Sequence, residues 1–218
     1  MSAAPQPTFP VVFPGAGEFT CTANSPASIG AIFQKIIAQV FGYNLTPPIP
    51  TANDSTNPFW TVRVGWQQQG QPAWTIAENV CIITAYTDDD PFSRISDTLL
   101  SANDAESLNQ ETSYTQVWKI HFVCYGPNAF TNGVLIVAAM ALDWVHDALA
   151  TSNIYAITEW KRPVVLYENE NSQWWQRADV ELRFNEFVQL NLIVPSAASV
   201  GITLLKENGL SETVNVNI

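Results

Sequence analysis

Trp175-Gln176-Arg177-Ala178-Asp179-Val180-Glu181-Leu182-Arg183-Phe184 alternates without a break. Ala178, Val180, Leu182 and Phe184 fall on one side, and Asp179, Glu181, Arg183 and then Asn185 on the other. A period of two is the mark of a half-buried strand, since successive side chains point to opposite faces of a sheet. The pattern predicts one long strand over Trp175–Val194. Tyr114–Tyr125 repeats it, with Trp118, Ile120, Phe122 and Cys124 against Thr115, Lys119 and His121. Two long strands of this kind require apolar cover on one face.

The cover is also written in the sequence. Between residues 26 and 41, Ile29, Ile32, Phe33, Ile36, Ile37, Val40 and Phe41 recur at helical spacing. Ser25 is placed to cap that helix, Pro26 suits its first position, and Gly42 supplies a left-handed stop. A second helix is expected over 128–150, with an apolar run at Val134–Leu142 that predicts burial on several sides. Shorter strands are expected at Trp60–Trp66, Val80–Tyr86, Val164–Glu168 and Ile202–Leu205. The expected fold is α+β: a mostly antiparallel sheet of about five strands with two main helices packed against it.

Three segments lie outside that core. Residues 1–24, with Pro5, Pro7, Pro10 and Pro14, read as an extended arm. Residues 87–112 carry seven acids against Arg94 alone and read as an acidic insertion, a solvated hairpin or loop. Residues 195–218 read as a tail with short strands. The expected domain is therefore 25–194, with the arm before it and the tail after it.

Composition limits the chemistry. The 218 residues include 20 acids and 9 bases, a net charge of −11, and only 13% are charged. Holding nucleic acid by attraction needs clustered Lys and Arg, so DNA wrapping is not expected. The first basic residue is Lys35, and no secretory signal is read at the N-terminus. The longest apolar run is too short for a bilayer, so no membrane partner is expected. Cys21, Cys81 and Cys124 are odd in number and lack CxxC spacing, which excludes a disulfide framework and a cysteine zinc site. Cys81 and Cys124 read as small core hydrophobes.

Catalytic groups are scarce. Asp143, His146 and Asp147 share a helical face but make an incomplete ligand set, and no calcium loop follows the aspartates at 88–90. No GxSxG elbow, phosphate loop or dinucleotide fingerprint occurs. The expectation is no catalytic residue, no cofactor and no metal. The eight tryptophans leave one rival class, a glycan-binding or hydrolytic module, because indole faces stack on sugars.

The turn Tyr125-Gly126-Pro127-Asn128-Ala129 leads into a helix, and Trp174-Trp175-Gln176-Arg177-Ala178 then opens the alternating strand. On these motifs residues 60–187, best 114–187, resemble the neck or tail terminator proteins of long-tailed bacteriophages. The resemblance implies a virion protein without enzyme activity. It would form a ring, typically hexameric, on the tail tube, stop tube growth and face the head connector. Genomic DNA would only pass through the lumen, and assembly would take place in the host cytoplasm. Another tube or connector subunit is the alternative within that class. Trp174, Trp175, Arg177 and Asp179 are the candidate subunit interface, and Asp88, Asp89 and Asp90 the candidate lumen or docking acids.

Overall fold

A computed structural model describes residues 19–43, 61–65, 74–102, 107–159, 161–170, 172–195, 199–205 and 211–217. Within these, ten strands are formed: β1 Phe19–Cys21, β2 Val62–Val64, β3 Val80–Thr87, β4 Ser96–Ala102, β5 Ser107–Tyr125, β6 Ile154–Ala156, β7 Val164–Glu170, β8 Gln173–Pro195, β9 Ser199–Leu205 and β10 Ser211–Asn217. The helices are α1 Pro26–Val40, α2 Ala129–Ala139 and α3 Asp143–Ala150. Eight strands make one sheet in the order β1-β8-β5-β3-β2, with β4 on β5 and with β6 and β7 on β8; β9 and β10 form a separate hairpin.

The chain divides into two compact units. The larger spans 23–95 and 115–187. There α1 begins as the sequence predicts. Ser25 accepts a hydrogen bond from the Ser28 amide, Pro26 opens the helix, and Gly42 follows its end at φ +85°. Its Ile29, Phe33, Ile36 and Ile37 pack on Cys81 and Ile83 of β3, on Trp118–Cys124 of β5 and on Ala178–Phe184 of β8. The Phe33 ring lies 5.9 Å from Phe122 and 4.6 Å from Phe184. Side chains of this size contribute about 1.5–3 kcal/mol each when fully buried, so this face dominates the unit's stability. Cys81 lies directly opposite Cys124 in the β3–β5 register, and both are buried, free thiols. The hydrogen bond between them and their burial push the Cys81 thiol well up.

The opposite face of the sheet carries a smaller cluster: Trp74, Val80, Ile82, Val123, Tyr125 and Trp175. Gly126, at φ +102°, turns β5 toward α2. A Cβ there would stand 2.4 Å from the Glu78 carbonyl oxygen, so only glycine fits.

The other unit spans 1–22, 96–114 and 188–218. Its described part contains β4 paired with Leu108–Tyr114, β1 paired with Leu190–Leu192, and the β9–β10 hairpin.

The expected fold class is overturned. The protein is mostly β, with an eight-stranded rather than a five-stranded sheet. That sheet is mixed because β2 runs parallel to β3. Three helices, not two, occur among the described residues. The causes are local. β1 and β6 have three residues each, too few to display a period, whereas β2 falls inside the strand expected at Trp60–Trp66. Within the acidic insertion, after the 3₁₀ turn Pro91–Arg94, Ser96–Ala102 forms β4, which pairs antiparallel with β5, the hairpin of the two forms expected there. The residues of β4 are all exposed, so no buried face marks it. The helix expected at 128–150 breaks into α2 and α3, bent by 72°. His146 Nε2 then lies 2.5 Å from the Met140 carbonyl oxygen at that break. No single described helix is long and apolar enough to cross a membrane. Residues 1–18 of the expected arm lie outside the described residues, and Phe19–Cys21 is strand.

Candidate functional site

Strand parity places the polar residues of β5 and β8 on the sheet face away from α1. Lys119 and His121 of β5 lie there with Arg177, Asp179, Glu181 and Arg183 of β8, all within the larger unit. In water such a row of charges would be loosely solvated. Here most are partly buried and paired.

Two ion-pair groups result. In the first, Arg177 Nε and Nη2 donate to the two carboxylate oxygens of Asp179 at 2.6 Å each, and Nη1 donates to Glu168 Oε2 at 3.2 Å. Positions 177 and 179 share a strand face, which makes this two-pronged geometry possible. His121 Nε2 lies 3.4 Å from Asp179. Burial would push the Asp179 carboxyl up, but hydrogen bonds from His121 and Arg177, with their charges, hold it down at about 2. The Tyr125 hydroxyl donates to Glu168 Oε2 at 2.8 Å, and burial together with that bond pushes its pKa up.

The second group centres on Arg183. Its Nε lies 2.9 Å from Asp88 Oδ2, its Nη2 donates to Asp90 Oδ2, and Glu159 approaches at 3.8 Å. Lys119 stands 3.6 Å from Asp88. Asp89 points elsewhere, is 82% exposed, and pairs with Arg94.

The expected interface residues therefore separate. Trp174 is 64% exposed. Trp175 is buried with its ring 6.4 Å from that of Tyr125, while Arg177 and Asp179 pair with each other. Of the three aspartates, Asp88 and Asp90 converge on Arg183 and Asp89 does not. Sequence reasoning did not assign Arg183, His121 or Glu168. The available signal was that the few bases of the chain fall on the polar parity of two long strands.

One further group escaped it. Glu186, 1% exposed, is the buried charged side chain among the described residues. Its Oε1 accepts from the Asn24 amide at 2.7 Å and from Asn24 Nδ2 at 2.6 Å, and its Oε2 accepts from Trp118 Nε1 at 2.6 Å. It ties the approach to α1 to β5 and β8.

Nothing in this arrangement sets up a nucleophile beside a base. Among the described residues no group of three or more His, Cys, Asp or Glu side chains is placed to hold a metal. Of the tryptophans, Trp74, Trp118 and Trp175 are buried, while Trp144 on α3 and Trp174 on β8 are exposed. Exposed apolar side chains are more numerous than these two. Phe130, Val134 and Leu135 of α2, Leu142, and Val164–Tyr167 of β7 are all exposed.

The family model for phage neck terminator proteins matches residues 29–207. No curated protein matches the chain. The match takes in α1, both long strands and β9, and the chain belongs to the phage neck terminator family. It is a structural protein of the phage neck.

Proposed function

We propose that the chain assembles into a ring of six copies at the end of the tail tube, stops tube growth and presents a face to the head connector. The tail tube protein and the connector are its neighbours, and genomic DNA only passes through the lumen. Assembly takes place in the host cytoplasm.

The observation that supports assembly is the exposed apolar surface. A chain with 13% charged residues leaves Phe130, Val134, Leu135, Trp144 and Trp174 uncovered. Apolar side chains left uncovered in this number support a reading in which partners cover them. Trp174 is the interface residue we favour of the four expected. Asp88 and Asp90 brace the sheet through Arg183, which leaves Asp89, in a solvent-exposed pair with Arg94, as the acid placed to meet a neighbour or the lumen.

Electron microscopy of the purified chain and of phage lacking it tests this reading. Annular particles are expected from the first. Tails of variable length, unattached to heads, are expected from the second. Deleting residues 1–20 should weaken the ring and leave a folded subunit. Normal tails with attached heads in the absence of the protein would refute the reading.

A further inference from the structure

β7 is an edge. It pairs with β8 on one side, and no other strand among the described residues pairs with it. Edge strands are usually protected by charge, proline or shortness, because their open N–H and C=O groups recruit other chains. β7 instead shows four consecutive apolar side chains, Val164, Val165, Leu166 and Tyr167, between 39% and 68% exposed. Val164 and Leu166 share the sheet face of Glu168, and Val165 and Tyr167 share the other. Both sides of the edge are thus apolar.

The ends of the strand carry opposite charges. Lys161-Arg162-Pro163 precedes it, and it finishes Glu168-Asn169-Glu170. A segment that is basic, then apolar, then acidic is complementary to itself when reversed. We propose that β7 is the docking edge for a second copy of this chain, joined antiparallel about a two-fold axis at Val165. In that register Arg162 of one copy falls opposite Glu168 of the other, Val164 falls opposite Leu166, and Val165 meets its equivalent. Opposite residues in an antiparallel pair share a face, and all these pairings satisfy that condition.

The charged partners are available. Arg162 is exposed and makes no ion pair among the described residues, whereas Lys161 is held by Glu181 at 3.0 Å. Glu168 takes the bonds from Tyr125 and Arg177 on Oε2 alone. Its Oε1 remains to accept a guanidinium. A two-fold contact closes on itself, so it joins copies in pairs and is separate from the head-to-tail contacts of a ring. It does not depend on the ring reading.

The test uses the full chain, measured by light scattering and native mass spectrometry over a concentration series. Leu166→Lys and Arg162→Glu should each raise the dissociation constant of the pair roughly tenfold or more, with unchanged circular dichroism. In a Cys21→Ser background, in which Cys81 and Cys124 are buried, Val165→Cys should form linked dimers in oxidised glutathione. Leu99→Cys on β4, at a position more exposed than Val165 (65% against 39%), should not. Val165→Cys cross-linking no faster than Leu99→Cys would overturn the proposal. So would a particle mass that Leu166→Lys leaves unchanged at every concentration. Loss of rings in micrographs with this pair intact would count against the ring alone.

Discussion

Glu186→Gln isolates the buried carboxylate from everything around it. The substitution keeps the volume and removes one acceptor. In the wild type one oxygen serves both Asn24 donors and the other serves the Trp118 indole. The glutamine has one carbonyl oxygen, so its amide must face either Asn24 or Trp118, donor against donor. Hydrogen bonds to charged groups contribute about 1.5–3 kcal/mol, and a buried donor left unmatched costs about as much as the bond lost. The expected loss is about 2–4 kcal/mol, taken with its full weight because Glu186 and Trp118 are almost wholly buried. For a chain of this length that lowers Tm by roughly 4–15 °C. Urea unfolding followed by far-UV circular dichroism reads the loss as a shift in midpoint. Trp118→Phe removes the indole donor, so the amide can turn away from Asn24 without meeting another N–H. The double variant should therefore lose less than the sum of the singles, with a coupling of about 1–2 kcal/mol. Simple additivity, or a Glu186→Gln midpoint equal to wild type, would refute the reasoning.

Three further outcomes follow from the same face and the turn beside it. Asp179 titrates below its ordinary value of 3.8, at about 2, so its contribution to stability is complete above the ordinary value and is lost as pH falls through about 2. Acid unfolding curves should steepen between those limits, and Asp179→Asn should flatten that limb. Arg177→Ala strips Asp179 of its two-pronged donor and should cost about 2–3 kcal/mol, below the value for a fully buried pair because Arg177 remains partly exposed; Arg177→Lys should recover less than half, since an ammonium cannot reproduce the fork. Gly126→Ala should cost at least ~1–3 kcal/mol from its backbone conformation alone, read as a lower melting temperature.

What was legible in the sequence was what repeats. α1, its Ser25 cap and its Gly42 stop were readable because a 15-residue helix shows its period several times. The long strands were readable for the same reason. β1 and β6 complete less than two periods each, and β4 sets Leu99 and Leu100 on opposite faces with all its residues exposed, so none of the three showed a buried face in its pattern. The break between α2 and α3 was hidden by residues apolar all round, which fix no face. At the site, Arg177 and Asp179 were singled out from the sequence as interface residues, but their pairing with each other and with Glu168 was not readable. Asp179 is two positions away on the same strand, while Glu168 arrives through a hairpin that periodicity does not place. Glu186 had left a trace, since it puts a carboxylate on the parity of Ala178, Val180, Leu182 and Phe184.

The charges also decide what Asp88, Asp89 and Asp90 can do. Of nine bases, Arg94, Lys119, Lys161, Arg177 and Arg183 pair with acids of the same chain, and Arg63 stacks 5.0 Å over Trp74. Most of the few cations are thus held by groups of the same chain, which leaves little with which to hold phosphate. Replacing all three aspartates by Asn would not merely remove negative charge. Arg183, left with Glu159 alone at 3.8 Å, and Lys119 would lose their nearest anions, and a stability loss of about 2–3 kcal/mol is expected, below the value for a fully buried pair because both remain partly exposed. Any assembly defect in that triple variant would then report folding. Asp89→Asn separates the two effects, because its pair with Arg94 lies in solvent and holds nothing else together. Its melting temperature should match wild type. A salt-sensitive defect in joining heads to tails would place Asp89 at a docking face, and a defect confined to DNA passage would place it at the lumen. A Tm drop for Asp89→Asn as large as that of Asp88→Asn would contradict this division of roles and make the three aspartates one structural unit.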